Sequence, residues 1–311
     1  MAEVSDASQL VRESPPDYHA AMSQELQVEC RDGASIAATY FEPARPAGVA
    51  AVINGATGVP RGYYETFAGH LADLGIAVLT YDYRGIGGSS AVRGSMEDWG
   101  ALDQPAALDR LAALRPDDAL VVVGHSFGGQ VLGLAPNIDR ARAALLVAAQ
   151  HGHWRHWSGA HRLRVWLLWW FLIPVLTRAF GHFPGQYFGT ARLPSAVAHN
   201  WARWGRSPHY VSDGSGNPLR PFNDKVSMPI RWLSFDDDPI APFDAVEALR
   251  EYYPRAQVER RHIVPKDWGL DAVGHFGFFR KSLPRPVWND LARWLIGAVR
   301  DPAGDRGRSP N

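Results

Sequence analysis

One serine lies in a pattern that is typical of a reactive hydroxyl. Ser126 is the third residue of GHSFG, which fits G-x-S-x-G and begins at Gly124. Such a serine lies on a sharp strand-to-helix turn, where side chains two residues away on either side would clash, so both positions need glycine. The run ALVVV before the motif predicts a buried strand, and VLGLA after it predicts a helix. In this context we predict that Ser126 is a nucleophile, whereas the bare pattern would be weak evidence.

A serine hydroxyl attacks only when a base takes its proton and an acid orients that base. For a serine on this kind of turn the chain order is Ser, then Asp or Glu, then His. Asp236, Asp237 and Asp238 follow the strand-like run IRWLSF, and PIAP comes next. We predict Asp238 as the acid because it lies at the turn that leaves the strand, with Asp237 as the second choice and Asp236 as the third. The preceding strand is followed by AAQHGH, which has no carboxylate.

The predicted base is His275. It lies between Gly274 and Phe276, in a loop after the strand-like run QVERRHIV and 37 residues after Asp238. A single histidine is more often structural, but its order and its location in the chain favour a catalytic role here. His262 lies on the strand itself, and we expect it to point into the packing.

Backbone N–H groups must stabilise the charge that develops on a substrate's carbonyl oxygen. The amide of Phe127, which follows the nucleophile, is the first predicted donor. The second is the amide of Ala56, in the loop NGATG after the third strand-like run. A plain glycine turn is the alternative interpretation of that loop.

The parts of the chain that position these residues are short apolar runs, which alternate with longer helix-like segments. LQVEC and SIAATYF predict an antiparallel pair, and VAAVING, IAVLTYD, ALVVVGH and AALLVAAQ predict strands buried on both faces. IRWLSFD and QVERRHIV follow, while YYETFAGHLADLG, ALDQPAALDRLAALRP and PVWNDLARWLIGAV predict helices. The sequence therefore predicts an α/β fold with a mostly parallel, doubly wound sheet.

The alternation stops within a segment rich in Trp, His and Arg that has no clear strands. We predict an inserted, mostly helical cap over the carboxyl edge of the sheet, where open α/β folds bind ligands. The predicted parts are a core at 21–151 and 227–300, the cap at 152–226, and flexible tails at 1–20 and 301–311.

Histidines and tryptophans gather where the predicted cap begins. The H-x-H spacing of His151 and His153 can bind zinc, but no nearby Cys, Asp or Glu completes a set, so we predict no metal. A substrate-pocket lining and ordinary cap packing are the two remaining interpretations. The residues predicted to contact substrate are Gly55, His125, His151, His153, Trp154 and Phe276.

The apolar run VWLLWWFLIPV covers residues 165–175. As a helix it would rise only ~18 Å, against a hydrocarbon core of about 30 Å, and Pro174 is expected to interrupt it. We therefore predict no transmembrane segment. A cover over the active site, a dimer surface and a shallow membrane contact all stay open, and a homodimer is compatible with the sequence.

Composition excludes several other classes. Lys+Arg and Asp+Glu both number 32, and no basic run occurs, so a nucleic-acid partner is not expected. The single cysteine, Cys30, allows no internal disulfide, and we expect it to be a buried apolar residue. The first residues lack the pattern of a signal peptide, so we expect a cytoplasmic protein.

Over nearly all of residues 25–300 the chain resembles the α/β-hydrolase superfamily, and more narrowly a group of bacterial predicted hydrolases. The resemblance is carried by ATGV with the downstream YY and FA, YDYRGIGGS, GHSFGG, the DDP turn and GHFGFFR. It implies an α/β-hydrolase fold, with Ser126 as nucleophile, Asp238 as acid, His275 as base, and no metal or organic cofactor. The pair Asn54-Gly55 departs from the His-Gly that is common in the superfamily.

The expected activity is hydrolysis of an ester or thioester of a small, hydrophobic acyl or aromatic substrate through an acyl-enzyme. The same residues could serve an acyltransferase, a peptidase or a carbon–carbon bond hydrolase, because fold does not fix the reaction. A non-catalytic ligand-binding protein on this fold is the alternative from another class. All three triad residues are present in the sequence, which disfavours that alternative.

Overall fold

The computed structural model describes residues 22–188 and 190–300, and in these residues eight strands form one sheet while two short strands form a separate ribbon. The strands are β1 (Met22–Glu29), β2 (Ser35–Glu42), β3 (Val49–Asn54), β4 (Ile76–Tyr81), β5 (Ala119–His125), β6 (Ala141–Val147), β7 (His182–Phe183), β8 (Leu193–Pro194), β9 (Pro229–Phe235) and β10 (Gln257–Ile263). The order in the sheet is β1-β2-β4-β3-β5-β6-β9-β10. Strand β2 is antiparallel to both of its neighbours, and the other pairs are parallel.

Helices cover both faces of this sheet and fill the segment between β6 and β9. They are α1 (Glu65–Asp73), α2 (Met96–Asp98), α3 (Gln104–Leu114), α4 (Phe127–Gln130), α5 (Gly159–Leu167), α6 (Ile173–Phe180), α7 (Ser195–Arg206), α8 (Phe243–Arg250) and α9 (Arg285–Arg300). Every residue of β3 and β4 is buried, as the continuous apolar runs predict. The predicted α/β fold with a mostly parallel sheet is confirmed.

The helix after the nucleophile motif is shorter than the sequence predicts. VLGLA does not continue it, because α4 ends at Gln130 after a single turn and gives way to a short 3₁₀ segment. Gly133 explains part of this difference, since a Cβ there would lie 1.8 Å from Oδ1 of Asn223. The close approach needs glycine, and glycine weakens a helix interior.

The stretch YDYRGIGGS, which begins at the last residue of β4, carries one partner of a buried ion pair. Arg84 donates from its main-chain N–H and its Nε to the carboxylate of Asp103, over 2.9 and 2.7 Å, and from its Nη1 to Asp32 over 2.8 Å. Burial raises the pKa of Asp103 to about 6, against the opposing effect of Arg84. Burial likewise raises the pKa of Cys30, whose Sγ lies 3.6 Å from Asp103, to about 12. Cys30 is therefore a buried thiol and not a thiolate.

Residues 152–226, called the cap segment below, contain α5, α6, α7 and the ribbon of β7 and β8. The ribbon is a small addition to the predicted helical structure. Its Leu193 and Pro194 lie against Gly58 and Gly85, in the loops after β3 and β4. The indole of Trp157 donates over 2.9 Å to the carbonyl of Pro239, in the loop after β9. These loops leave the carboxyl ends of parallel strands, so the cap segment lies against that edge of the sheet.

The apolar run of the cap segment belongs to a longer helix than predicted. Helix α5, a π-helical turn over Leu168–Leu172 and helix α6 form one helix over Gly159–Phe180, of 22 residues. It rises about 33 Å, enough by length and composition to cross a membrane of about 30 Å. Pro174 does not interrupt it, because a wider π turn relieves the clash between a proline ring and the preceding turn. The length argument against a membrane-spanning segment was therefore wrong.

Candidate active site

Ser126 lies on the sharp turn that its motif predicts. It follows β5, begins the turn into α4 and has φ 50° and ψ −112°, a strained conformation for a residue with a side chain. A Cβ on Gly128 would lie 2.2 Å from the carbonyl oxygen of Asn54, and one on Gly124 would lie 2.8 Å from Cα of Gly129. The predicted need for glycine at both positions is confirmed. The turn brings Ser126 to the carboxyl edge of the sheet, with its side chain almost wholly buried.

Asp238 and His275 form a buried pair beside this turn. Nδ1 of His275 lies 2.8 Å from Oδ2 of Asp238. Oδ1 of Asp238 accepts hydrogen bonds from the backbone N–H groups of Ile240 and Ala241, over 2.8 and 3.0 Å. Because an ionised carboxylate only accepts, Nδ1 carries a proton, and in the neutral imidazole the lone pair is on Nε2. The arrangement gives the imidazole the tautomer that a general base requires.

The two other carboxylates of the DDD run have different partners. Asp237 accepts hydrogen bonds from the backbone N–H groups of Val273 and Gly274, over 2.8 and 3.0 Å. It therefore holds the loop that carries the histidine. Asp236 is exposed, and its carboxylate lies 3.7 Å from Nε2 of His262, whose Nδ1 bonds to the Ser234 hydroxyl at 2.8 Å. Of the three candidate acids, the structure brings Asp238 to the predicted base.

The hydroxyl of Ser126 has a partner that the sequence analysis missed. It donates to Oε1 of Gln150 over 3.4 Å, a long and weak hydrogen bond. Gln130 donates to the same oxygen over 3.2 Å and accepts from the hydroxyl of Tyr210 over 2.9 Å. Within the described residues no hydrogen bond joins Ser126 to His275, as is common in a substrate-free site. Gln150 lies in AAQHGH, the run after β6 that contains no carboxylate.

A chain of buried hydrogen bonds connects the loops around the site. Nε2 of His125 lies 2.9 Å from the carbonyl oxygen of His275 and must donate, because a carbonyl only accepts. Nδ1 of His125 then accepts from the hydroxyl of Tyr64 over 2.9 Å. That hydroxyl in turn accepts from the N–H of Ala56 over 2.8 Å. Burial, with His275 nearby, lowers the pKa of His125 well below its ordinary value, so the ring is neutral.

These hydrogen bonds change the interpretation of Ala56 and His125. The single N–H of Ala56 is bonded to Tyr64, so the structure does not present it as the free oxyanion donor that the sequence predicts. His125 is predicted to contact substrate, yet both of its ring nitrogens are bonded within the protein. Tyr64 lies in the YY pair of the resemblance, and no pattern in the sequence connects it with His125. Gly55 packs beside the Tyr64 ring, where a Cβ would lie 3.2 Å from Cε2.

Replacing Tyr64 with phenylalanine tests this chain. The change removes one buried hydroxyl and leaves the Ala56 N–H and Nδ1 of His125 unpaired, so we expect the free energy of unfolding to fall by about 1–3 kcal/mol. Chemical denaturation measures the loss. Tyr83→Phe is the matched control, because the buried Tyr83 hydroxyl has no partner of hydrogen-bond geometry among the described residues. Equal losses in the two variants would contradict a special role for Tyr64.

The histidines at the start of the cap segment pack among aromatic rings. His151 lies 4.7 Å from the ring of His156 and 5.2 Å from that of Tyr210, measured between centroids. Burial, together with neighbouring positive groups, lowers the pKa of His151 to about 2 and that of His153 to about 4. Trp154 lies 5.9 Å from Trp170. No hydrogen bond or ring contact among the described residues joins His151, His153 or Trp154 to the triad, so their substrate role stays a prediction.

Two further predicted residues flank the site directly. The ring of Phe276 lies 5.0 Å from that of His275, and its carbonyl accepts from the hydroxyl of Tyr63. The ring of Phe127 is buried between Trp99 and Trp204, at 5.2 and 6.4 Å. The amide of Phe127 begins α4, where N–H groups have no acceptor within the helix. In the described part of the chain, no group of three or more His, Cys, Asp or Glu could hold a metal ion.

A cavity of about 510 Å³ adjoins Asp238 and extends under the start of the cap segment. Its lining includes His156, Trp157, Asp236, Asp238, Phe243 and His262. A separate cavity of about 870 Å³ lies between β1 and α3 and contains no triad residue. The cavity beside Asp238 adjoins the candidate site through that residue, and neither Ser126 nor His275 is part of its lining.

A mostly parallel sheet that carries a serine on the turn after a central strand defines an α/β hydrolase fold. Residues 51–289 match the model of the alpha/beta hydrolase family, and the chain belongs to this family. The resemblance to the α/β-hydrolase superfamily is thereby confirmed. No curated protein sequence gives a significant match.

Solved structures show the same fold at low sequence identity. An esterase from Pyrococcus furiosus has a TM-score of 0.59 and 14% identity, over 88% of this chain and 91% of that one. A lipase in an open form has a TM-score of 0.60 and 19% identity, over 89% and 99%. A serine hydrolase without a lid, from Xanthomonas campestris, has a TM-score of 0.50 and 18% identity, over 92% and 97%.

Proposed function

We propose that this protein is a serine hydrolase that cleaves an ester or thioester of a hydrophobic acyl or aromatic substrate through an acyl-enzyme on Ser126. The observation that carries the proposal is the buried pair of His275 and Asp238, at 2.8 Å, next to a serine with a strained φ of 50°. A strained nucleophile turn beside an oriented imidazole is the arrangement that acyl transfer needs.

In the proposed reaction the Ser126 hydroxyl leaves Gln150 and donates to Nε2 of His275. Oγ of Ser126 then forms a bond to the substrate's carbonyl carbon, while the proton moves to His275. Asp238 stabilises the imidazolium that results. His275 gives the proton to the leaving alkoxide or thiolate as its bond to the carbonyl carbon breaks, which leaves the acyl group on Ser126. Water then gives a proton to His275 and its oxygen bonds to the acyl carbon. As the bond between that carbon and Oγ of Ser126 breaks, His275 returns the proton to Oγ and the carboxylic acid leaves.

The negative charge that develops on the substrate's carbonyl oxygen must be stabilised by hydrogen-bond donors that are in place before the reaction. The Phe127 amide is the proposed first donor, because it follows the nucleophile and begins α4. The loop after β3 is the proposed source of the second. Ala56 can supply that donor only when its hydrogen bond to Tyr64 opens.

The proposed acyl preference rests on the aromatic surroundings of the site. Phe127 packs against Trp99 and Trp204, and Phe276 packs against the base. The esterase and the lipase of the same fold are consistent with an ester as the substrate bond. Of these rings, that of Phe276 is partly exposed, and an apolar acyl group would gain from burial beside it.

A series of p-nitrophenyl esters from acetate to dodecanoate tests the substrate class. We expect kcat/KM to rise by up to about fourfold for each methylene added, because each buried CH₂ contributes about 0.8 kcal/mol, until the pocket is full. The matching thioester series shows which leaving atom is preferred. Cleavage of small polar esters alone would refute the hydrophobic acyl group, while leaving the serine mechanism in place.

A further inference from the structure

Four large apolar side chains form an exposed ridge along the helix of the cap segment. Leu163, Leu167, Phe171 and Val175 are 57, 43, 52 and 59% exposed, and this set is called the cap ridge. Residues four apart lie on one face of a helix, so the ridge is continuous along the helix surface. Contiguous apolar surface of this kind on a folded protein marks an interaction site.

The opposite face of the same helix is packed into the domain. Trp169, Ile173 and Thr177 are buried, and the ring of Trp169 lies 4.9 Å from that of Trp201 in α7. Of the most apolar 18-residue stretch of this helix, only 17% is buried inside the protein. Because one face packs against the domain and the other carries the exposed ridge, the helix presents a single apolar face to its surroundings.

Positive charge surrounds the cap ridge. The whole chain has a formal net charge of zero, yet no Asp or Glu occurs between Asp139 and Asp213, a stretch that contains nine arginines. Arg162, Arg164 and Arg178 flank the ridge and are exposed. Among the described residues none of these three forms an ion pair with a carboxylate. Their charge is therefore free to attract an anionic surface.

Aromatic residues lie at the border of the ridge. Trp166 and Trp170 stack at 5.8 Å and are half-buried, and the guanidinium of Arg206 lies 5.8 Å from the ring of Trp170. Tryptophan is enriched at the boundary between membrane and water, where one side of its ring is apolar and its N–H is polar. An apolar ridge bordered by Trp and Arg has the composition of a helix that lies in a membrane interface.

We propose that the cap ridge and its arginines bind the surface of an anionic phospholipid membrane, with the helix over Gly159–Phe180 lying in the plane of the interface. A second copy of the chain is a poorer occupant. A symmetric dimer through this face would bring together the same arginines of both copies, whose charges no carboxylate neutralises among the described residues. An anionic lipid surface instead complements their charge and accepts the apolar ridge.

Sedimentation with phospholipid vesicles tests the charge requirement. The intact protein is expected to bind vesicles that contain phosphatidylserine, to bind phosphatidylcholine vesicles far more weakly, and to be released by high salt. The triple variant R162Q/R164Q/R178Q is expected to bind the phosphatidylserine vesicles about a hundredfold more weakly. Each arginine near the membrane contributes about fivefold to the affinity, and the three factors multiply. The matched control K281Q/R293Q/R300Q, on exposed cations elsewhere, is expected to bind as the intact protein does.

A second pair of variants tests the ridge. F171E places a charge on the exposed ridge and is expected to abolish vesicle binding. M22E places the same charge on an exposed apolar residue of β1, 74% exposed, and is expected to leave binding unchanged. Thermal unfolding midpoints equal to that of the intact protein show that both variants are folded.

Three outcomes would overturn the proposal. They are an absence of vesicle binding by the intact protein, equal binding to neutral and anionic vesicles, and equal binding by F171E. If vesicles are not bound but ultracentrifugation finds a dimer that F171E dissociates, the ridge is an interface between copies of the chain. None of these readouts depends on hydrolytic activity, so they are separate from the test of the proposed function.

Discussion

Replacing Ser126 with alanine is expected to lower kcat on the preferred p-nitrophenyl ester by about 10⁴–10⁶. The variant keeps the turn, the buried imidazole and the amide of Phe127, but it loses the atom that bonds to the substrate's carbonyl carbon. A small residual rate is expected, because the oxyanion donors and the substrate-binding surface are intact. Steady-state kinetics on the ester series measures the fall.

Ser212→Ala is the matched control for this change. Ser212 is also buried, and its hydroxyl has no hydrogen-bond partner among the described residues. Removing that hydroxyl is expected to leave kcat within about twofold, since it strands no polar group. If Ser126→Ala retained the activity of the intact protein, the nucleophile assignment would be wrong.

Replacing Asp238 with asparagine is the second large effect expected, a fall in kcat of about 10⁴. The carboxylate accepts from Nδ1 of His275 at 2.8 Å and so fixes the tautomer with a free lone pair on Nε2. An amide is uncharged and can donate its own N–H to Nδ1, which would put the histidine's proton on Nε2. The base would then be unable to accept the proton of Ser126.

Asp237→Asn provides the matched comparison within the same run of carboxylates. Asp237 accepts from the backbone of Val273 and Gly274, and an asparagine oxygen can still accept one of these bonds. We expect a fall in kcat of less than about tenfold, since weakening one of these two hydrogen bonds costs about 1 kcal/mol. A larger loss for Asp237→Asn than for Asp238→Asn would reverse the assignment of the acid.

Features that depend on residues close together in the sequence were predictable. The strands, their burial and the turn at Ser126 follow from apolar runs and from glycines two positions away on either side. Asp238 followed from its place at the end of a strand. The sequence left Asp237 open as an alternative to Asp238, because both residues lie on the same turn. Only their hydrogen-bond partners in the folded protein distinguish them.

Features that depend on contacts between distant residues were not predictable. Tyr64 reaches His125 across 61 residues, and His125 reaches the carbonyl of His275 across 150. No local pattern indicates these pairings, so the occupied N–H of Ala56 could not be foreseen. The length of the helix over Gly159–Phe180 was underestimated because a π turn, which has no sequence signature, accommodates Pro174.

Fluorophosphonate labelling followed by intact-mass measurement tests the central claim most directly, because the reagent bonds only to an activated serine and needs no knowledge of the substrate. The account predicts a single adduct on the intact protein, located at Ser126 by peptide mapping, with Ser212→Ala labelled equally and Ser126→Ala unlabelled. An unlabelled intact protein, or an adduct that persists in Ser126→Ala, would contradict it.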